Sequence, residues 1–305
     1  MEYFVNLNSC KHDPDFSKLI SELVSRENPL KKLGIQGLTK NLMQKLPFDY
    51  FFGLKSLRIL DSDINGFFCN SKYFQNIEEI EIQQMSDEKI EINQVIDEEF
   101  KDLRKLKKLN IFSGNVKKIP NSISSLNDLT TLGLSITENL PINLHYLPNL
   151  KEFGVSVLYE NVVREDLLEK ISKVKNLESF GYNDPFSNVC PDFKENLLGL
   201  ESFTFDMLNV KELPSILPKM VNLKYLHLSN DLQSIPEWFI NLRNLEYLTI
   251  EGLVDGKLPL FLKELPRLHT INLIACLDIL MYEERINEIK NDFPDLKILG
   301  VNADY

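Results

Sequence analysis

The sequence predicts an α/β solenoid, with one parallel β-sheet on an inner, concave face and return segments that mix helix, 3-10 helix and extended chain on the convex side. Two observations predict it. A block of the form Leu-x-x-Leu-x-Leu recurs at steps of about 20 to 29 residues. A second block, Leu-Pro or Ile-Pro followed by apolar residues three apart, follows most copies. A chain of 305 residues would otherwise suggest about two domains, but an array of repeats grows by stacking and needs no single central core.

The strand block is read at Leu106-x-x-Leu109-x-Ile111, Leu129-x-x-Leu132-x-Leu134, Leu150-x-x-Phe153-x-Val155, Leu200-x-x-Phe203-x-Phe205, Leu223-x-x-Leu226-x-Leu228, Leu245-x-x-Leu248-x-Ile250 and Leu268-x-x-Ile271-x-Leu273. Weaker copies centre on Leu33, Leu60, Ile80, Phe180 and Leu299, giving about twelve units. Residues two apart point to the same side of a strand, so the last two apolar positions of each block face one interior. The return block reads Ile119-Pro120, Leu213-Pro214, Ile235-Pro236 and Leu258-Pro259. Proline cannot donate to a ladder, so it ends the strand side and turns the chain onto the back of the coil.

Steps near 23 residues leave room only for extended or 3-10 structure. Longer steps carry helical patterns at Asp87–Leu103, Val162–Val174 and Tyr282–Phe293. Residues 1–29 are expected to be an N-terminal helical cap, with Pro14 near the start of a helix through Ser25, and residues 30–305 the repeat array. The final helix and a Leu299–Val301 strand are expected to close the array. No unit is self-sufficient: ordering costs about 1 to 2 kcal/mol per residue, against about 1.5 to 3 kcal/mol for each buried aliphatic side chain.

These blocks resemble the leucine-rich-repeat family, in its short intracellular-type units with a Leu-Pro or Ile-Pro turn, over about residues 30–301. The resemblance implies a horseshoe that binds protein partners along the concave sheet and its flanking loops. It also implies an Asn five residues after each central leucine. Here those positions hold Asn65, Met85, Gly114, Thr137, Leu158, Pro185, Leu208, Asp231, Leu253 and Cys276, so the Asn ladder is mostly absent. The turns at Met85, Leu158, Leu208 and Leu253 are expected to be looser.

A net charge of −11 and a pI near 5.0 repel phosphate backbones and anionic membranes and favour a basic partner. The start has no basic region followed by an apolar run, and no stretch reaches the roughly 18 apolar residues of a membrane span. The expectation is a soluble cytoplasmic monomer beginning at or near Met1, with Cys10, Cys69, Cys190 and Cys276 as free thiols. No phosphate loop, dinucleotide fingerprint, nucleophile elbow or Cys/His ligand spacing occurs, so neither enzyme chemistry nor a cofactor or metal is expected.

The residues beside each central leucine, and those three and four beyond, are expected to form the exposed sheet face. It runs from Asp61, Asp63, Glu79, Glu81, Gln83 and Gln84, through small residues at Gly154 and Ser156, to Asn183 and Met207. The candidate binding residues are Asp184, Asp206, Tyr225, His227, Asn230, Tyr247 and Glu251. They combine aromatic anchors with acids on a rigid scaffold. A solvated strand face carries the same residue types with no ligand. Besides a passive scaffold, a regulator that occludes an enzyme and a bacterial effector that selects a host target fit the same pattern. Trp238 is read as packing on the convex return.

Overall fold

The computed structural model describes residues 2–7, 17–18, 20–22, 30–84, 94–113, 116–140, 142–230, 232–253, 257–276 and 283–299. The chain divides into two compact units, Met1–Leu150 and Lys151–Tyr305.

The first unit contributes β1 (Glu2–Asn6), β2 (Lys32–Gln36), β3 (Ser56–Leu60), β4 (Glu79–Gln83), β5 (Gln94–Val95), β6 (Lys108–Phe112), β7 (Val116–Lys118) and β8 (Thr131–Ile136). Strands β1, β2, β3, β4, β6 and β8 pair in that order, all parallel. Strands β5 and β7 form a separate small sheet on the return side. The register stacks Leu33, Leu57, Ile80, Leu109 and Leu132 in one buried row, and Ile35, Ile59, Ile82, Ile111 and Leu134 in the next. The weak copy expected at Leu60 is therefore centred on Leu57, in the block Leu54-x-x-Leu57-x-Ile59. Leu60 is buried at the turn instead, where its carbonyl accepts from the Gly37 amide.

Part of the expected helical cap is a strand, because Glu2–Asn6 pairs with β2 and sends Val5 into the core. The helix expected from Pro14 through Ser25 lies largely outside the described residues. Met85 lies outside them too, as do residues 87–93 of the helix expected at Asp87–Leu103. The described remainder of that segment is β5 and a 3-10 turn at Glu98–Asp102, so the helical reading does not hold there. Phe100 from that turn is fully buried against Phe68, with ring centroids 4.8 Å apart.

The second unit contributes β9 (Glu152–Val157), α2 (Arg164–Ser172), β10 (Ser179–Asn183), β11 (Ser202–Asp206), β12 (Tyr225–Ser229), β13 (Tyr247–Glu251), β14 (Thr270–Ile274), α3 (Glu283–Asp292) and β15 (Lys297–Leu299), following the short α1 (Lys40–Met43) of the first unit. All seven strands pair in chain order and in parallel. The helices fall on two of the long return segments, as the spacing predicted. The short Pro-led returns are 3-10 turns at Asn121–Ser125, Leu217–Lys219, Glu237–Asn241 and Leu260–Glu264, each burying one apolar residue: Ile123, Leu217, Phe239 and Leu262. The last copy is centred on Ile298, the partner of Ile271, and not on Leu299.

The core lies between sheet and returns. In the second unit Phe153, Phe180 and Phe203 stack from coil to coil with centroids 6.0 Å apart, and Phe193 meets Phe180 and Phe203 edge-on. Their stacked and T-shaped geometry adds to area burial.

Candidate functional site

Strand alternation decides which side chains reach the open side of the sheet. In the second unit the first, third and fifth residues of each strand face outward, and the register carries them into three rows. The first row runs Ser179, Ser202, Tyr225, Tyr247, Thr270 and Lys297. The middle row runs Gly181, Thr204, His227, Thr249, Asn272 and Leu299, and the last runs Asn183, Asp206, Ser229, Glu251 and Ile274.

Tyr225 and Tyr247 are register partners, and their rings stack at 4.8 Å with only 9° between planes. They are 46% and 37% exposed. His269, just before β14, meets Tyr247 edge-on at 4.3 Å, and its Nδ1 lies 3.0 Å from Thr270 Oγ1. Two adjacent tyrosines on rigid strands thus present a preformed aromatic wall. One strand over, His227 Nε2 lies 4.0 Å from Glu251 Oε2 and has no hydrogen-bond partner among the described residues. Asp206 accepts from the Asn183 side-chain amide. The structure therefore groups Tyr225, His227, Tyr247 and Glu251 on one surface, with Asp206 along its margin.

Three of the expected face residues, two of them candidate binding residues, are not on it. Asp184 is fully buried and Asn230 is 1% exposed. Both lie four residues past the central apolar position, where the chain has begun to turn inward; Met207, at the same place, is also buried. Asp184 is a structural anion. Its carboxylate takes Arg164 Nε at 2.8 Å and Nη2 at 3.0 Å, the Tyr182 hydroxyl at 3.2 Å, and the amides of Phe186 and Ser187 at 3.2 Å. Arg164 uses Nη1 on the carbonyls of Glu160 and Val162. Burial, with the Asp184 charge beside it, pushes the Tyr182 phenol far above its usual range. Asn230 Nδ2 donates to the Val210 carbonyl at 3.1 Å, the task a ladder asparagine performs, one position early. Ser62 and Cys276 hold other turns, through Leu38 N to Ser62 Oγ at 2.9 Å and Cys276 Sγ to Ile250 O at 3.6 Å.

Sequence reasoning missed an apolar ridge. On the loops following β9, β10 and β11, Leu158, Tyr159, Phe186, Val189 and Leu208 are each more than a third exposed. They flank a stretch of sheet carrying only Gly154 and Gly181 in its middle row, where a Cβ on Gly154 would meet nothing within 4 Å. The signal was present as the departure from Asn at Leu158 and Leu208, whose side chains stay exposed. Leu253, by contrast, is buried.

The first unit's face is mostly polar, with Phe4 and Phe112 exposed on it. Arg58 pairs with Glu81 at 3.2 Å, and two lysines, Lys107 and then Lys55, hold the Glu78 carboxyl down at about 2. Trp238 stacks on Phe239 at 4.5 Å on the return side. Cys69, Cys190 and Cys276 are free thiols, burial raising Cys190 to about 11; Cys10 lies outside the described residues. Among the described residues no helix is long and apolar enough to cross a membrane.

No protein-family model matches the chain, and no curated protein does. Among solved structures it is similar to an internalin of Listeria monocytogenes, at 15% identity and a TM-score of 0.42 over 90% of this chain and 68% of that one. It is also similar to a leucine-rich-repeat protein of Leptospira interrogans, at 14% identity and a TM-score of 0.35 over 88% and 89%. A plant peptide hormone receptor in complex with RGF2 is similar at 18% identity and a TM-score of 0.41, over 80% of this chain and 43% of that one.

Proposed function

We propose that this chain, a leucine-rich-repeat solenoid in its block pattern and its strand register, is a non-catalytic recognition module that holds a protein partner on the exposed sheet face of its second unit. The observation that carries the reading is the Tyr225–Tyr247 stack: two large rings left in solvent, side by side, on adjacent strands of a rigid sheet. Aromatic side chains supply large contact area at low entropic cost and concentrate binding energy. The apolar ridge of Leu158, Phe186 and Leu208 supports the same reading, because exposed apolar side chains gathered on one edge mark interaction sites. Glu251 and Asp206, in a chain of net charge −11, favour a partner that brings basic groups to this face. The free thiols fit a reducing compartment such as the cytoplasm.

The test compares capture from source-cell lysate by the wild-type chain and by a Tyr225→Ala, Tyr247→Ala, Glu251→Lys variant of unchanged circular dichroism. A protein held by the wild type and lost from the variant is the expected result. Equal capture by both would refute this placement of the site.

A further inference from the structure

We propose that the depression at the C-terminal end of the same face is a subsite for a carboxylate carried by the partner polypeptide; the assignment rests on the recognition role proposed above. The depression holds about 420 Å³ and is lined by Tyr247, Thr249, His269, Thr270, Asn272 and Lys297, with Leu248 and Leu299. Its origin is a size mismatch within one register row. Thr270 sits between Tyr247 on β13 and Lys297 on β15 and is only 8% exposed, so a short side chain lies between two long ones. The Tyr247–His269 pair forms one wall and the Lys297 stem the other.

Three of the lining side chains carry polar groups that the fold leaves uncommitted. Among the described residues Lys297 has no ion-pair partner, and the side chains of Asn272 and Thr249 have no hydrogen-bond partner. Elsewhere in this unit Lys151 pairs with Glu178 at 2.7 Å, Lys173 with Glu169 at 2.7 Å and Lys224 with Glu201 at 2.8 Å. Among the described residues no carboxylate lines the depression, although the chain carries an excess of acids. An unpaired ammonium beside an uncommitted amide and hydroxyl, against an aromatic wall, complements a singly charged acceptor attached to an apolar body. A doubly charged phosphate meets greater repulsion from a chain of net charge −11, and the lone Lys297 offers no bidentate fork to hold it.

The experiment titrates N-acetyl-L-phenylalanine into the full-length, nitrogen-15-labelled chain and follows amide shifts, with the neutral N-acetyl-L-phenylalanine amide and inorganic phosphate as parallel probes. The expected result is saturable shifts at Thr249, Asn272 and Lys297 for the carboxylate, with the neutral amide weaker by about tenfold. Lys297→Glu abolishes the shifts and Lys297→Arg keeps them. Equal binding of the neutral amide, indifference to Lys297→Glu, stronger binding of phosphate or no saturable shift would each overturn the assignment. The two proposals fail separately. Probe binding with undiminished lysate capture by the triple variant removes the recognition face and leaves the anion site. Capture that depends on Tyr225 but not on Lys297, without probe binding, removes the anion site alone.

Discussion

The Asp184 cluster shows how one buried residue can look functional in the sequence while serving the fold. Its carboxylate is satisfied by the Arg164 fork, a tyrosine hydroxyl and two backbone amides, which compensates the cost of burying the charge. Removing either partner strands the other. Asp184→Ala and Arg164→Ala are each expected to lower unfolding free energy by about 3 to 5 kcal/mol, read by urea denaturation, and partner binding by the molecules that still fold should be unchanged. The neighbouring phenol adds a pH dependence. The folded-state pKa of Tyr182 is raised by burial and then by Asp184, so its contribution is complete below the unfolded value of about 10 and is lost as pH rises above it. Tyr182→Phe should therefore cost about 1 kcal/mol at pH 7 through the lost hydrogen bond, yet show a shallower fall in stability above about pH 10 in the same titration.

At several turns one side chain satisfies the backbone that leaves the strand, and the residue that does so differs from coil to coil. Ser62 accepts from Leu38 N and donates to the Leu60 carbonyl at 2.6 Å, both inside the core. Ser62→Ala leaves the Leu38 amide buried and unpaired, and Asn230→Ala does the same to the Val210 carbonyl. Each is expected to cost about 1 to 3 kcal/mol, measured as a drop in melting temperature. Strand placement was legible in the sequence because burial of the two inner residues imposes a period of two. Leu109, Leu132, Leu226 and Leu248 fall in the expected rows for that reason. The Leu60 copy was misread by three residues because Leu57, Ile59 and Leu60 are all apolar and all buried, so composition could not choose among them; pairing with Leu33 and Ile80 does. The face was legible within the strands, giving Tyr225, His227, Tyr247 and Glu251, and failed just past them. Asp184, Met207 and Asn230 turn inward because the chain leaves the pleat after the fifth strand residue, and no alternation rule holds beyond it.

A partner docked on the second unit would meet two kinds of surface, and kinetics separates them. The Tyr225 and Tyr247 rings act at contact range, so their truncation shortens the lifetime of the complex. Tyr225→Ala and Tyr247→Ala are expected to cost about 2 kcal/mol or more in affinity, mainly in the dissociation rate seen by surface plasmon resonance. Truncating either ring also removes their mutual stack, so folding stability should fall by about 0.5 to 1.5 kcal/mol, less than the loss in affinity. Asp206 and Glu251 act at longer range, summed with the chain's net charge of −11. Screening shortens from about 30 Å at 0.01 M salt to about 8 Å at 0.15 M, which cuts the steering of a basic partner. The wild-type association rate should accordingly fall severalfold between those salt concentrations, and an Asp206→Lys, Glu251→Lys variant should associate slowly at both while dissociating at nearly the wild-type rate. If reversing the charges leaves the association rate and its salt dependence untouched, the partner is not basic, and the aromatic wall and apolar ridge carry recognition by themselves.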